Sequence, residues 1–218
     1  MQYTDFEAFV TASFPGVTRL QLERFAAMDG LYREWNAKIN VISRKDIDGL
    51  YLHHVLHSLA IAAYLQAERP DEYGLADRKV LDLGTGGGFP GIPLAVLFPE
   101  AQFTLCDSVG KKTLVADGVA KALGLENVTV VNARAETLPD RFDYVVSRAV
   151  TTLENFYPWV RGRFSEAILY LKGGDVAEET ALLMARHRLR RGSVGTWRID
   201  RWADDPYFSE KYVIDIRW

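Results

Sequence analysis

The feature that most constrains this chain is a short apolar run that ends in a string of glycines. Lys79-Val80-Leu81-Asp82-Leu83 leads into Gly84-Thr85-Gly86-Gly87-Gly88-Phe89-Pro90-Gly91, and a short helical pattern, Ile92 to Phe98, follows. Glycine has no Cβ and adopts φ > 0 without strain, so its backbone can approach a ligand closely. In open α/β sheets such a ligand sits outside the carboxyl ends of the strands, near the reversal of strand order.

The rest of the chain fits that frame. Phe103 to Cys106, Val128 to Val131, Tyr144 to Val146 and Ala167 to Leu171 read as further strands. Lys111 to Leu123, Thr152 to Val160 (despite Pro158) and Val176 to Leu189 read as helices between and after them. This alternation predicts an α/β fold with a mostly parallel sheet, helices on both faces and right-handed crossovers. The tail, Val194 to Trp202 and Tyr207 to Trp218, is rich in Trp, Ile, Val and Tyr and reads as an antiparallel strand pair. Ahead of the glycine turn the apolar spacing predicts three helices: one through Phe6, Phe9, Val10 and Phe14, one from Leu20 to Trp35, and one from Asp48 to Leu65. Arg69-Pro70-Asp71-Glu72-Tyr73-Gly74 is a breaker-rich link, and we place a boundary there. The expectation is a helical extension over 1–74 and a ligand-binding domain over 75–218.

Gly86-x-Gly88-x-x-Gly91 matches the dinucleotide-binding pattern, which alone is a weak signal. Pro90 and Pro93 sit where the opening helix turn would offer its N–H groups to a pyrophosphate. The glycine run also starts early, at Asp82-x-Gly84-x-Gly86, with an acid inside the strand. S-adenosylmethionine has no phosphate, and its turn needs room and a carboxylate, so these features favour a methyl donor over NAD. Asp82 is the expected carboxylate for the sulfonium or its amino group. Asp107, 23 residues after Gly84, ends the second strand, where an acid accepts hydrogen bonds from ribose hydroxyls.

Composition sets the remaining bounds. The chain has 218 residues, 48% hydrophobic and 25% charged, which is ordinary for a globular protein with a substantial core. Cys106 is the single cysteine, so no intrachain disulfide framework forms and a reducing compartment fits. Met1-Gln2-Tyr3-Thr4-Asp5 has no basic start and no apolar run follows, so we expect no signal peptide. No apolar run approaches about 18 residues, so no membrane span is expected. The expectation is a soluble cytoplasmic protein. A net charge of −3 argues against a large basic footprint, though a local basic face remains open.

Asp82-Leu83-Gly84-Thr85-Gly86-Gly87-Gly88-Phe89-Pro90-Gly91-Ile92-Pro93-Leu94 closely resembles the first motif of the glucose-inhibited division protein B family. Trp35 to Ser43 looks like that family's upstream Asn-Lys-x-x-Asn-Leu segment, and Asp107-Ser108-Val109-Gly110-Lys111-Lys112 like its acid-Ser step. Arg134-Ala135-Glu136, Val146-Ser147-Arg148-Ala149 and Leu171-Lys172-Gly173-Gly174 match three further motifs. The resemblance implies a class I S-adenosylmethionine-dependent methyltransferase, with a Rossmann-like seven-stranded sheet and an N-terminal helical extension. It implies methyl transfer to N7 of a guanine in bacterial 16S ribosomal RNA, free or in the small ribosomal subunit. It places Gly84 and Phe89 on the methionine and adenosine side of the turn, Asp107 at the ribose, Ala135 and Glu136 beside the adenine, and Arg148 near the transferred methyl. A monomer without metal is expected. The chain departs from the family at His54-Val55-Leu56-His57-Ser58, where the family has His-x-x-Asp-Ser. The C-terminal strands carry no obvious family signature.

The residues also bear on chemistry. Guanine N7 has a free lone pair, so attack needs alignment and no general base. Asn-Pro-Pro-Tyr is absent after the fourth strand, where Ser147-Arg148-Ala149-Val150 stands, which disfavours exocyclic amines as acceptors. No Pro-Cys nucleophile is present, and Cys106 reads as a small buried hydrophobe. Arg148 is a donor for guanine O6 or a phosphate, or else half of a structural ion pair. His53, His54 and His57 fall short of a zinc motif and read as a seam between the helical part and the sheet, or as an RNA-facing patch. Arg33, Lys38, Arg44, Lys45, Lys111 and Lys112 form a candidate basic rim, and Arg186 to Arg191 is either a solvated helix end or a phosphate contact. Asn36 and Asn40 read as local hydrogen-bonding residues beside the cleft. Trp197, Trp202, Tyr207, Phe208 and Trp218 read as core. Two alternatives stay open: a methyltransferase of a small molecule or protein, and an NAD-dependent oxidoreductase.

Overall fold

The computed structural model describes residues 1–138 and 141–218. Seven strands form one sheet in the order β3-β2-β1-β4-β5-β7-β6. They are β1 (Lys79–Leu83), β2 (Gln102–Asp107), β3 (Val128–Asn132), β4 (Phe142–Arg148), β5 (Phe164–Gly173), β6 (Val194–Arg198) and β7 (Lys211–Ile216). Strands β1 to β5 pair in parallel, while β7 runs antiparallel between β5 and β6. The strand order reverses between β1 and β4, which puts the ligand crevice at their carboxyl ends.

Side chains alternate across the sheet, so each strand feeds two cores. On one face Val80, Leu105, Val146 and Leu169 pack with α1 (Tyr3–Ser13), α2 (Arg19–Lys38), α3 (His57–Glu68), α4 (Gly91–Leu97) and α5 (Gly110–Ala122). On the other Leu81, Leu83, Val145, Ile168 and Tyr170 pack with α6 (Leu153–Val160) and α7 (Val176–His187). The helices before β1 therefore share one core with the sheet. Helix α3 is buried from His57 to Leu65 and apolar all round, as a helix enclosed on every side must be.

Sequence chemistry explains the ends of these elements. Thr18 and Gln21 close a reciprocal capping box on α2. The Gln21 amide then donates to the carbonyls of Val96 and Leu97, both at 2.9 Å, and so caps the last turn of α4. Asp175 caps α7 by accepting from the Ala177 N–H. The link after α3 is tied down as well: Arg217 donates bidentately to Glu72 at 2.9 Å, and the Tyr144 hydroxyl donates to the same carboxylate at 2.7 Å.

Two predicted elements differ from observation. The third helix was expected from Asp48. Instead Ile47–Gly49 is a 3-10 turn and Leu50–Leu56 is π-helical, with α-helix only from His57. A π ladder turns more slowly than an α ladder, which apolar spacing cannot distinguish over seven residues. The last strand was expected from Tyr207, but Pro206–Phe208 is a 3-10 turn capped by Asp205, and β7 begins at Lys211.

The glycine turn is held by Asp82, and this corrects its expected role. Asp82 is fully buried and does not line the crevice. Its Oδ2 accepts from the Thr85 hydroxyl at 2.5 Å and from the Gly91 N–H at 2.7 Å, so it staples β1 to the start of α4. A Cβ on Gly91 would stand 2.6 Å from that oxygen, which is why glycine is required there. Gly84 adopts φ +74°, and a Cβ on it would collide with Val150. Burial pushes the Asp82 carboxyl up to about 7 against the Thr85 and Gly91 hydrogen bonds, and its Oδ1 has no partner.

Two stability predictions follow from these contacts. Stability owed to protonated Asp82 is complete below the ordinary carboxyl value of 3.8 and is lost as pH rises through about 7. Asp82→Asn keeps an acceptor for both donors and removes the titration. Urea denaturation should show the stability gap moving in favour of D82N by roughly 2 kcal/mol between acid and mildly alkaline pH. A gap that ignores pH would mean that Asp82 titrates as an ordinary surface acid. Gln21→Ala leaves two α4 carbonyls uncapped and should cost roughly 1–3 kcal/mol by the same measurement, with no loss expected only if water replaces the amide.

Candidate functional site

The crevice at the carboxyl ends of β1, β2 and β4 is a cavity of about 520 Å³. That lies in the range of small-molecule sites. Gly84, Phe89, Asp107, Ala135, Glu136 and Arg148, six residues from four stretches of chain, all line it.

Each wall has a local cause. The glycine turn folds over the end of β2: Gly84 and Thr85 donate to the Cys106 carbonyl at 2.8 and 3.1 Å, and Gly86 donates to Asp107 Oδ2 at 2.9 Å. Asp107 Oδ1 accepts from Val109 at 2.8 Å, which fixes the carboxylate plane at the start of α5. Cys106 beneath it is buried, its thiol pushed up to about 11 by burial and directed at the Ala133 carbonyl. Ala135 and Glu136 sit on a 3-10 turn after β3, which Arg163 holds by donating to the Glu136 and Leu138 carbonyls. The loop after β4 is pinned by Tyr170, whose hydroxyl accepts from Val150 and Thr151 and donates to the Thr151 carbonyl. Ser147 bonds the Leu83 carbonyl at 2.8 Å and so locks the ends of β1 and β4 together.

Phe89 is nearly buried, stacked on Tyr32 at 4.8 Å, with the Arg148 guanidinium 5.2 Å from its ring centre. Arg148 donates to the His53 carbonyl at 3.0 Å and to His54 Nδ1 at 2.9 Å. Among the described residues it makes no ion pair, so its structural role is not the acid–base pair weighed from sequence. His57 is buried against Tyr207 and Phe208, with Nδ1 3.3 Å from the Tyr207 hydroxyl. Burial, then the charge of Arg148, hold it neutral. The histidines thus form the seam between the helical part and the sheet, and His57 does not face out. Among the described residues no cluster of three His, Cys, Asp or Glu side chains is arranged to hold a metal. No helix there is long and apolar enough to cross a membrane.

The basic rim shrinks. Arg33 is paired with Asp29 and Asp48, and Lys38 with Glu34, while Lys112 does line the cavity. In the Arg186–Arg191 run, Arg186 pairs with Glu154. Asn36 clasps the loop after α2 by accepting from Val41 and Ile42 and donating to the Ile42 carbonyl. Asn40 is exposed beyond the end of that helix. Trp197 and Phe208 are core as expected, but Trp218 is 52% exposed, stacked on Phe164 where β5 begins.

Sequence reasoning gave no role to several site residues. Val41 and Trp159 line the cavity. Asp46 accepts from His53 and His54 beside it. Both histidines sit on the π-helical stretch Leu50–Leu56, and Asp46 lies in the turn that precedes it.

The donor set fits a nucleoside without phosphate. In α4 the Gly91 N–H is taken by Asp82, the Ile92 N–H by the Gly88 carbonyl, the Leu94 N–H by the Pro90 carbonyl, and Pro93 has none. No donor of the opening turn is left for a pyrophosphate, which a dinucleotide site requires. The oxidoreductase alternative loses its binding element.

Known proteins agree. The family model GidB, rRNA small subunit methyltransferase G, matches residues 21–195. The chain is 51% identical to the Ribosomal RNA small subunit methyltransferase G of Bacteroides fragilis, over 93% of this chain and 96% of the relative. It is also 51% identical to the protein of that name from Cytophaga hutchinsonii, over 90% and 92%. Its fold resembles the magnesium protoporphyrin IX methyltransferase of Synechocystis PCC 6803, solved with bound SAM, at a TM-score of 0.62 and 12% identity over 93% of this chain and 99% of that one. It resembles a 16S rRNA N2 methyltransferase of T. thermophilus, solved with AdoMet and guanosine, at a TM-score of 0.55 and 20% identity over 74% and 42%. The fold is that of the class I S-adenosylmethionine-dependent methyltransferases, and the chain belongs to the rRNA small subunit methyltransferase G family.

Proposed function

We propose that this protein transfers a methyl group from S-adenosylmethionine to N7 of a guanine in 16S ribosomal RNA. The observation that carries the reading is the half-buried Arg148 guanidinium, which lines the cavity and has no carboxylate partner among the described residues. A cation so placed donates to an electronegative acceptor and cannot serve as a base.

Asp107 would receive the ribose hydroxyls, its plane already set by Gly86 and Val109. Ala135 and Glu136 would border the adenine, and Gly84 and Phe89 the methionine side. When bound, the donor supplies an electrophilic methyl on a sulfonium. The protein's task is then to hold the acceptor in line and exclude water. Guanine shows N7 and O6 side by side on its major-groove edge. Arg148 donating to O6 leaves the N7 lone pair free to face the methyl, with no proton to remove beforehand.

The 16S RNA, free or in the small subunit, is the partner in this reading, and the protein acts as a cytoplasmic monomer. Its large exposed apolar side chains, such as Leu20, Leu114, Leu182 and Trp218, are scattered over separate elements. Scattered apolar residues do not make an interface.

Incubation of the purified protein with S-adenosylmethionine and 16S RNA, free and in the small subunit, should yield N7-methylguanine on at least one of them, and product at another atom or none on either refutes the assignment. RNA affinity should fall steeply with salt, whereas a small-molecule acceptor would bind almost independently of it. Asp107→Ala should weaken S-adenosylhomocysteine binding about tenfold or more in calorimetry. Unchanged binding would remove Asp107 from the cofactor site.

A further inference from the structure

We propose that Asp46 and His54 form a positioning relay that aims the Arg148 guanidinium at the acceptor base. This rests on the reading of Arg148 given above.

Arg148 is a donor at every nitrogen, so the ring nitrogen it meets must be an acceptor. That nitrogen is His54 Nδ1, at 2.9 Å. The His54 proton therefore sits on Nε2, which lies 2.6 Å from Asp46 Oδ2. Asp46 thus selects the tautomer that Arg148 requires. Burial, then the charge of Arg148, push His54 down to about 4, so the ring is neutral at physiological pH. Burial alone would raise Asp46, but the hydrogen bonds from His53 and His54 hold it below the ordinary carboxyl range.

The chemistry of this chain of contacts is selective. A carboxylate in place of His54 would neutralise the guanidinium. A neutral imidazole holds it without cancelling its charge. A second acceptor, the His53 carbonyl, fixes the other end of the fork at 3.0 Å. The His53 ring is itself held by the second oxygen of Asp46 and stacked on Tyr207 at 4.1 Å. Phe89 lies under both the His54 ring and the guanidinium, at 5.1 and 5.2 Å. Two hydrogen bonds and a ring face leave the cation one orientation, and no described protein acceptor takes the rest of its N–H groups. They remain for a carbonyl oxygen such as guanine O6.

Two isosteric variants separate positioning from packing. His54→Asn puts an amide oxygen where Nδ1 was and keeps the acceptor for Arg148. His54→Gln reaches Asp46 but leaves Arg148 without that acceptor. H54Q should lower kcat roughly 10- to 100-fold, as loss of a supporting hydrogen bond does elsewhere, and leave S-adenosylhomocysteine affinity and Tm unchanged. H54N, which keeps the Arg148 acceptor but loses the Asp46 bond, should recover part of the rate, and Asp46→Asn should likewise fall between H54Q and the wild type. A normal kcat in D46N overturns the part of Asp46 in the relay. Equal loss in H54N and H54Q, a loss that tracks Tm, or a normal kcat in H54Q overturns the relay. Weakened S-adenosylhomocysteine binding in H54Q also overturns it, because the fork would then serve the donor. Arg148→Ala is the control for the underlying reading. If R148A turns over normally, that reading itself fails; if R148A is impaired while H54Q is not, only the relay fails.

Discussion

The site depends on one buried carboxylate that does not line the cavity. Asp82 leaves β1 inside the core and gathers the Thr85 hydroxyl and the Gly91 N–H onto a single oxygen. The turn between them runs through three glycines before Phe89 packs on Tyr32, and the Asp82 contact ties its two ends together. Closure starts α4 and consumes the first donor of that helix. The same contact that builds the turn therefore removes the helix terminus as a phosphate site.

Around that turn, electrostatics divides the cavity. On one side is Asp107, held by two backbone N–H groups, which suits hydroxyl donors. At the end of β4 is a cation held by neutral acceptors. Taking a charge from water without a counter-charge is costly, and folds tolerate it where a ligand restores the balance. Ser147 locks β1 to β4 just before Arg148, and Tyr170 anchors the loop just after it. Preorganised dipoles and charges of this kind act without reorganising during the reaction.

Much of this was legible in the sequence. Strands buried on both faces read as apolar runs, so β1 to β5 and the parallel order followed from alternation. The six residues carried over from the family motifs share one cavity because they end successive strands or sit on the turns just after them. Asp82 was misread because an acid in a ligand-binding turn looks the same in sequence whether it faces the ligand or the turn itself. Only the Gly91 N–H, nine residues on, decides which. Asp46 and His54 were out of reach for another reason. Asp46 precedes the π-helical turn that carries His54, a conformation local propensity does not encode, and the Arg148 that gives the pair its role arrives from 94 residues away. Arg33 and Lys38 were counted as free charge because sequence shows the cation but not which acid it will meet.

The central claim is that this arrangement delivers a methyl group to guanine N7 in 16S ribosomal RNA. The most direct measurement maps N7-methylguanine along the 16S RNA of cells with and without the gene. The account predicts one guanine that is methylated at N7 in the parent, unmodified in the deletion, and restored by the wild-type gene. An identical N7-methylguanine pattern in both strains would contradict it.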